Sequence, residues 1–374
     1  MTLIVVNAVA SAKGGGATIL RQFLSSLDEE SYYHVFVSDL SVLDGVLPRG
    51  NVVVHPVGEK KLASRLWWDY VGLGLFLRGN DIVPNLVVSM QNTPSYIWHD
   101  VPQVVYLHQA IPISDFRFSF FSKMERSLWF YKTLYPIFMR GFPSRRRVYV
   151  CQATWMRVPF SNLLRVPLEN VRVYRPNAGL MDVCELREID AESREAFFVY
   201  PAASHIYKNH TVLVGAAALL KNSSPQFYRS LRILLTIEPG DPTVVPLIDA
   251  AGVLDAFEFV GHLPHNKLMA LLSKPSCVML FPSRIETIGL PLIEASYSGC
   301  FILAADLPYS KEVLRGYRRV RFVCATDPQR WADEMVASGA SEGFVERNGC
   351  DSGDNDEMGW VEFVSFLNRF AKVD

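Results

Sequence analysis

Six cysteines are spread over the 374 residues, and no two of them form a C-x-x-C pair. That spacing argues against a structural zinc site and against a disulfide framework, leaving buried free thiols in a reducing compartment as the expectation. An excess of one charge is also lacking: 37 Lys and Arg face 38 Asp and Glu, for a formal net charge of −1. A general nucleic-acid binder needs a basic excess, so that class is set aside. No apolar run reaches the ~18 residues that a membrane-spanning helix needs. The opening string MTLIVVNAVASAKGGG has no basic segment ahead of its apolar run, so it is expected to be a first strand rather than a secretory signal. No sequence repeat is visible.

What is present is the composition of a folded chain. Hydrophobic residues make up 49% and charged residues 20%, which excludes intrinsic disorder. The length suits two domains better than one core. Short apolar runs alternate with longer helical patterns, as in α/β units around parallel sheets. Strands are expected at Leu3–Val6, His34–Val37, Leu86–Val88, Gln103–Leu107 and Arg147–Val150. A second set is expected at Phe197–Tyr200, Arg232–Thr236, Phe257–Val260, Cys277–Phe281 and Phe301–Ala304, with a helix over Thr211–Leu220. The boundary is expected between Val173 and Arg194, where an acidic stretch without apolar periodicity follows VYRPNAGL. This divides the chain into domains 1–178 and 179–353, with 354–374 as a polar linker running into an amphipathic helix.

The most specific string is FPSRIETIGLPLIEASYSG, Phe281 to Gly299. A buried strand, Cys277–Phe281, leads into a tight loop and then a helix. Gly289 lets backbone approach a ligand, Pro291 suits the first helical position, and Gly299 suits the stop. Free N–H groups at such a helix start, around Ile288, Gly289 and Leu290, attract phosphate. Glu286 in the loop and Glu294, expected in the helix's first turn, suit hydroxyls better than phosphates. The combination points to a ligand with both, such as a nucleotide sugar.

The spacing of Pro282, Ser283, Glu286, Gly289, Leu290, Pro291, Glu294 and Ala295 resembles that of the retaining glycosyltransferases of family GT4. That resemblance implies a GT-B fold: two Rossmann-like domains facing each other across a cleft, with a C-terminal helix crossing back to the first. It implies a hexose transferred from a nucleoside-diphosphate sugar to a saccharide acceptor, with retained anomeric configuration. Glu286 is then a catalytic-site residue holding the transferred sugar, and Glu294 holds the ribose. Lys208, in YPAASHIYKN after the first strand of the second domain, meets the diphosphate together with Ile288, Gly289 and Leu290. The family's arginine a few residues earlier is missing; Ser204 and His205 stand there, and Arg284 or His205 is left as its substitute. Gly261 and His262 form the loop on the side of the base.

Lys13–Thr18 reads KGGGAT between a strand and a helix expected over Ile19–Ser26. A Walker loop needs lysine where Ala17 stands, and no glycine completes G-x-G-x-x-G, so an ATPase or dehydrogenase is disfavoured. The family resemblance puts Gly15 and Gly16 near the donor diphosphate. By the same resemblance, His108, directly after an expected strand, is the candidate catalytic residue of the first domain, facing the donor sugar.

Residues 116–147 carry eight Lys and Arg against one acid, Glu125, interleaved with aromatics such as Phe116, Phe120, Phe121, Trp129 and Tyr131. A basic, aromatic surface suits the anionic face of a bilayer. With the family resemblance, this gives the expectation of a cytoplasmic enzyme peripherally held at the inner face of the cytoplasmic membrane. Its acceptor would be linked to polyprenyl diphosphate, in O-antigen-like surface-polysaccharide synthesis. No cofactor and no metal are expected: the one D-x-D triplet, Asp354–Asp356, is better explained by helix capping. The alternatives are a GT-B sugar-nucleotide epimerase and a non-catalytic glycosyltransferase-like subunit.

Overall fold

Strands that are apolar on both faces belong inside parallel sheets covered by helices. The computed structural model describes residues 2–11, 14–46, 49–97, 101–142, 144, 146–176, 197–339 and 359–372. Every strand pairing among them is parallel. The chain divides into two compact units, residues 1–179 with 356–374, and residues 180–355. The boundary region expected from the sequence, and the D-x-D triplet, lie largely or wholly outside the described residues.

The first unit holds β1 (Thr2–Asn7), β2 (Ser31–Val37), β3 (Val52–Pro56), β4 (Leu86–Ser89), β5 (Gln103–Leu107), β6 (Arg147–Cys151) and β7 (Val171–Val173). They form one seven-stranded sheet in the order β3-β2-β1-β4-β5-β6-β7. The second holds β8 (Phe197–Tyr200), β9 (Ile233–Leu235), β10 (Phe257–Phe259), β11 (Cys277–Phe281), β12 (Phe301–Ala305) and β13 (Val320–Val323). These form a six-stranded sheet in the order β10-β9-β8-β11-β12-β13. Both are doubly wound. Their strand order reverses at β1/β4 and at β8/β11, and loops leaving the carboxyl ends there diverge to leave a crevice.

The helix Trp360–Ala371 returns to complete the core of the first unit. Trp360, Phe363, Val364, Phe366 and Leu367 are all buried against residues such as Phe23, Tyr106 and Tyr174. Trp360 stacks on Tyr106 with ring centroids 5.6 Å apart, and its Nε1 donates to Gln22 Oε1 at 3.0 Å. Asn368 Oδ1 accepts from Ser31 Oγ at 2.7 Å.

A buried polar network closes the carboxyl end of β1. Asn7 Oδ1 accepts from Gln91 Nε2 (2.8 Å) and Trp68 Nε1 (3.2 Å), while its Nδ2 donates to Asp69 Oδ1 (2.9 Å) and Ser95 Oγ (3.2 Å). All four of its hydrogen-bonding positions are filled. Thr93 Oγ1 donates to Asp69 Oδ2 at 2.8 Å. Asp69 is fully buried, and burial lifts its pKa to about 7 against the pull of those hydrogen bonds.

Two local expectations are corrected. The first helix runs Gly14–Ser25, so Gly15 and Gly16 lie inside its first turn and not in a loop ahead of Ile19. The helix after β11 runs Leu290–Tyr297, which makes Pro291 its second residue and puts Glu294 beyond the first turn. Four free cysteines are described, with Cys151, Cys277 and Cys300 buried and Cys324 exposed.

Candidate active site

The reversal of strand order at β8/β11 brings together two loops that are far apart in sequence. After β8 the chain makes a short 3-10 turn, Ile206–Lys208, and enters the helix His210–Ser223 through Asn209 in the left-handed region. After β11 it runs through Pro282–Ile288 into the helix Leu290–Tyr297. Backbone and side chains lock the loops to each other. Arg284 N–H donates to Tyr207 O at 2.8 Å, and Asn209 Nδ2 donates to Pro282 O at 3.1 Å and to Ala325 O at 2.7 Å. Tyr200 and Tyr309, both buried, donate their hydroxyls to Lys208 O and Ser283 O, each at 2.6 Å.

This scaffold holds Lys208 Nζ 2.5 Å from Glu286 Oε1, with the side chains 17% and 14% exposed. A cation and a carboxylate predicted for the same ligand are therefore paired with one another. Lys208 also lies 5.8 Å over the Tyr207 ring, on which His205 stacks at 5.3 Å. Burial, followed by the Lys208 charge, lowers the His205 pKa, so this ring is neutral at pH 7 and does not replace the charge of the missing arginine. Burial lowers the pKa of Arg284 too, yet an arginine stays charged at neutral pH.

Gly289 caps the helix Leu290–Tyr297 with φ 63°, a left-handed conformation that glycine adopts without penalty. A Cβ there would lie 3.2 Å from Phe281 and 3.3 Å from Leu292. The backbone N–H of Leu290 is thus one of the free donors at a helix start. The helix ends at Tyr297, with Gly299 at φ 67° behind it and Cys300 N–H donating to Ala295 O at 3.0 Å.

Glu294 lies one turn along that helix. Burial raises its pKa, and His265 opposes the shift from 3.7 Å, Nδ1 to Oε1. His265 opens the helix His265–Leu272. Nothing in the sequence spacing ties it to Glu294; only the packing of the two helices does. Gly261 has φ 66° and donates its N–H to Ile237 O at 3.1 Å. Its missing side chain leaves room beside the Glu238 carboxylate, 3.3 Å from where a Cβ would stand, and His262 next to it is exposed.

The remaining predicted residues belong to the first unit. Gly15 and Gly16 offer backbone at the start of the helix Gly14–Ser25. His108 follows β5, its backbone N–H donating to Asn92 Oδ1 at 2.5 Å and its ring against Tyr106. Nδ1 lies 3.3 Å from Gln152 Nε2, and Nε2 is buried, with the Met90 backbone beside the ring. Burial pulls its pKa down to about 4. The ring is neutral at pH 7 and can exchange hydrogen bonds but not supply a positive charge. Among the described residues, no cluster of three or more His, Cys, Asp or Glu is arranged to hold a metal ion.

Residues 185–337, within the second unit, match the family described as Glycosyl transferases group 1. The D-inositol 3-phosphate glycosyltransferase of Corynebacterium efficiens is 25% identical over 175 residues, 46% of this chain and 41% of that protein. The likeness thus spans less than half of either chain. Several solved structures are similar over nearly the whole length. Anabaena Alr3699/HepE, in complex with UDP and glucose, has a TM-score of 0.65 at 12% identity over 99% of both chains. WaaG, a glycosyltransferase involved in lipopolysaccharide biosynthesis, has a TM-score of 0.62 at 12% identity, covering 100% of this chain and 95% of its own. Residues 185–337 of the second unit are thus similar to group 1 glycosyl transferases, and the chain has the GT-B fold of two Rossmann-like units.

Proposed function

We propose that this protein is a retaining glycosyltransferase that moves a hexose from a nucleoside-diphosphate sugar to a saccharide acceptor. The observation that carries the reading is the Lys208–Glu286 pair, 2.5 Å apart and mostly out of solvent, next to the helix start at Leu290. A nucleotide-sugar donor offers a partner to each of these groups. Its diphosphate takes Lys208 and the N–H groups at Ile288–Leu290, and the hydroxyls of its sugar take Glu286. The leaving nucleoside diphosphate gains negative charge as the glycosidic bond breaks, and fixed donors aimed at that charge lower the barrier. Glu294 holds the ribose hydroxyls, and the loop at Gly261 and His262 flanks the base. Within the first unit, Gly15 and Gly16 offer backbone N–H groups at a helix start, and neutral His108 can offer hydrogen bonds but no charge.

The acceptor in this reading is carried on polyprenyl diphosphate in O-antigen-like synthesis at the inner face of the cytoplasmic membrane. Support comes from the first unit's surface. Phe121 is 90% exposed, Met124 61%, Ile137 62% and Phe142 61%, all within the basic segment 116–147. Exposed apolar groups of this size among cations mark a contact surface. No helix among the described residues is long and apolar enough to cross a membrane.

The donor is tested by thermal-shift screening with UDP-, GDP-, ADP- and dTDP-sugars. Binding stabilises the native state by about 2.7 kcal/mol at a hundredfold excess over Kd. A shift with one nucleotide class, lost in Glu294→Ala, is expected; no shift with any of them overturns the donor assignment. No metal takes part in this reading, so turnover is expected to survive excess EDTA. Complete loss restored by Mn²⁺ would overturn that point.

A further inference from the structure

A cavity of about 500 Å³ lies in the first unit at the amino end of β6, lined in part by Arg140, Arg147, Arg165 and Phe142. Among the described residues that line it there is no carboxylate. Arg147 is only 9% exposed. Its Nη1 donates to the backbone carbonyls of Arg140 (2.9 Å) and Phe142 (2.7 Å). Arg140 ends the helix Tyr135–Arg140, and its Nη2 donates to Leu163 O at 2.7 Å. Arg165 is held in the left-handed region, φ 57°, as the cap of the helix Arg157–Leu164.

These bonds orient the guanidinium groups without neutralising them, because a carbonyl carries no net charge. Capping helix ends accounts for the Nη contacts, and Arg147 also bonds the neutral Tyr149 hydroxyl, which brings no counter-charge. The Nε groups of Arg140 and Arg147 are both buried with no acceptor. A buried cation without a counter-charge, or an N–H without an acceptor, is costly. Guanidinium groups that line one cavity suit the oxygens of a phosphate in charge and hydrogen-bonding geometry. The strands are parallel, so this cavity sits at the opposite sheet edge from His108, which follows the carboxyl end of β5. Five strand residues separate the two edges, about 16 Å.

We propose that this cavity is a phosphate-binding pocket, separate from the donor site, taking the phosphate of a soluble ester or of a lipid headgroup. Phe142, 61% exposed at its rim, is the apolar neighbour a headgroup would meet. The proposal does not depend on the transferase reading.

The test titrates the full chain with inorganic phosphate by calorimetry at low ionic strength. In parallel, the chain is sedimented with phosphatidylcholine vesicles made with and without phosphatidylglycerol. Arg165→Glu, at an exposed position, and Arg140→Gln are compared with Lys208→Met as the donor-site control, and melting curves check that each variant folds. At least one probe is expected to bind, with Kd rising about tenfold or more in the two arginine variants, the loss of one charge-assisted contact. Lys208→Met should leave that Kd unchanged. Dependence on the arginines with free phosphate identifies a soluble ligand; the same dependence only with phosphatidylglycerol identifies a lipid. Binding of neither probe, or binding lost only in Lys208→Met, overturns the proposal.

Discussion

Lys208 and Glu286 satisfy each other, and this has a testable consequence. The pair is 2.5 Å apart and both side chains are less than a fifth exposed. A diphosphate must share Lys208 with Glu286 or draw it away, because one of the three ammonium donors is already engaged. Replacing Glu286 by Gln frees the lysine and removes a negative charge beside the phosphate position. Nucleoside diphosphate without a sugar should then bind Glu286→Gln as tightly as wild type or better, by a few-fold, since a partly buried ion pair is worth ~1 kcal/mol. Lys208→Met should weaken the same ligand roughly 10- to 150-fold, the loss of a charged hydrogen bond worth about 1.5–3 kcal/mol. On the proposed reading, sugar transfer should collapse in both variants, because Glu286→Gln alters the contact to the sugar and Lys208→Met removes the cation that meets the leaving diphosphate. Calorimetric titration with UDP and GDP, paired with a transfer assay, separates the two roles. If Glu286→Gln weakens nucleoside diphosphate as much as Lys208→Met does, the division of labour between phosphate and sugar is wrong.

Three further outcomes are expected. Asp69 has a native pKa raised to about 7 from 3.8. The folded state therefore holds its proton more tightly, so the associated stability is present below pH 3.8 and is lost as pH rises through about 7. Urea melts between pH 4 and 8 should show this as a slope approaching 1.4 kcal/mol per pH unit at most, flattened in Asp69→Asn; an unchanged slope refutes it. Gly289→Ala forces an L side chain into the left-handed region and against Phe281 and Leu292. It should cost about 1–2 kcal/mol or more and weaken donor binding, whereas wild-type behaviour in both assays would show that the cap geometry is unimportant. Phe363→Ala, at a fully buried position of the terminal helix, should destabilise by about 3–5 kcal/mol, while Val361→Ala, 70% exposed, should stay within about 0.5 kcal/mol. Equal effects of the two would contradict the docking of that helix.

Central strands were legible because burial on both faces demands unbroken apolar runs. Gln103–Leu107, Phe197–Tyr200 and Cys277–Phe281 have the limits expected of them. The three strands that the sequence did not reveal, Val52–Pro56, Val171–Val173 and Val320–Val323, all lie at sheet edges. An edge strand pairs on one side only and is half exposed, so neither a long apolar run nor strict alternation is required of it. The stop at Gly299 was readable too, because only glycine takes a left-handed turn freely, whereas Gly289, expected as a point of close backbone approach, is the left-handed cap of that helix. Helix starts were not: propensity left the limits open by a turn, which is how Gly15 and Gly16 moved into a helix and Glu294 out of a first turn.

The sequence by itself determined the α/β class, the strand-loop-helix around Glu286 and the residue types of the proposed nucleotide-sugar site. These are local properties, written in apolar periodicity and turn chemistry. Only the tertiary structure decided which side chains meet. Lys208 reaches Glu286 because β8 and β11 are neighbours in space at the reversal of strand order. His265 reaches Glu294 because two helices pack. The neutrality of His108 and the raised pKa of Asp69 come from burial, which depends on the whole unit and has no local signature. The arginines at 140, 147 and 165 line one cavity because two helices end beside the start of β6. Such contacts join residues that the chain keeps apart, and only folding sets the distances between them.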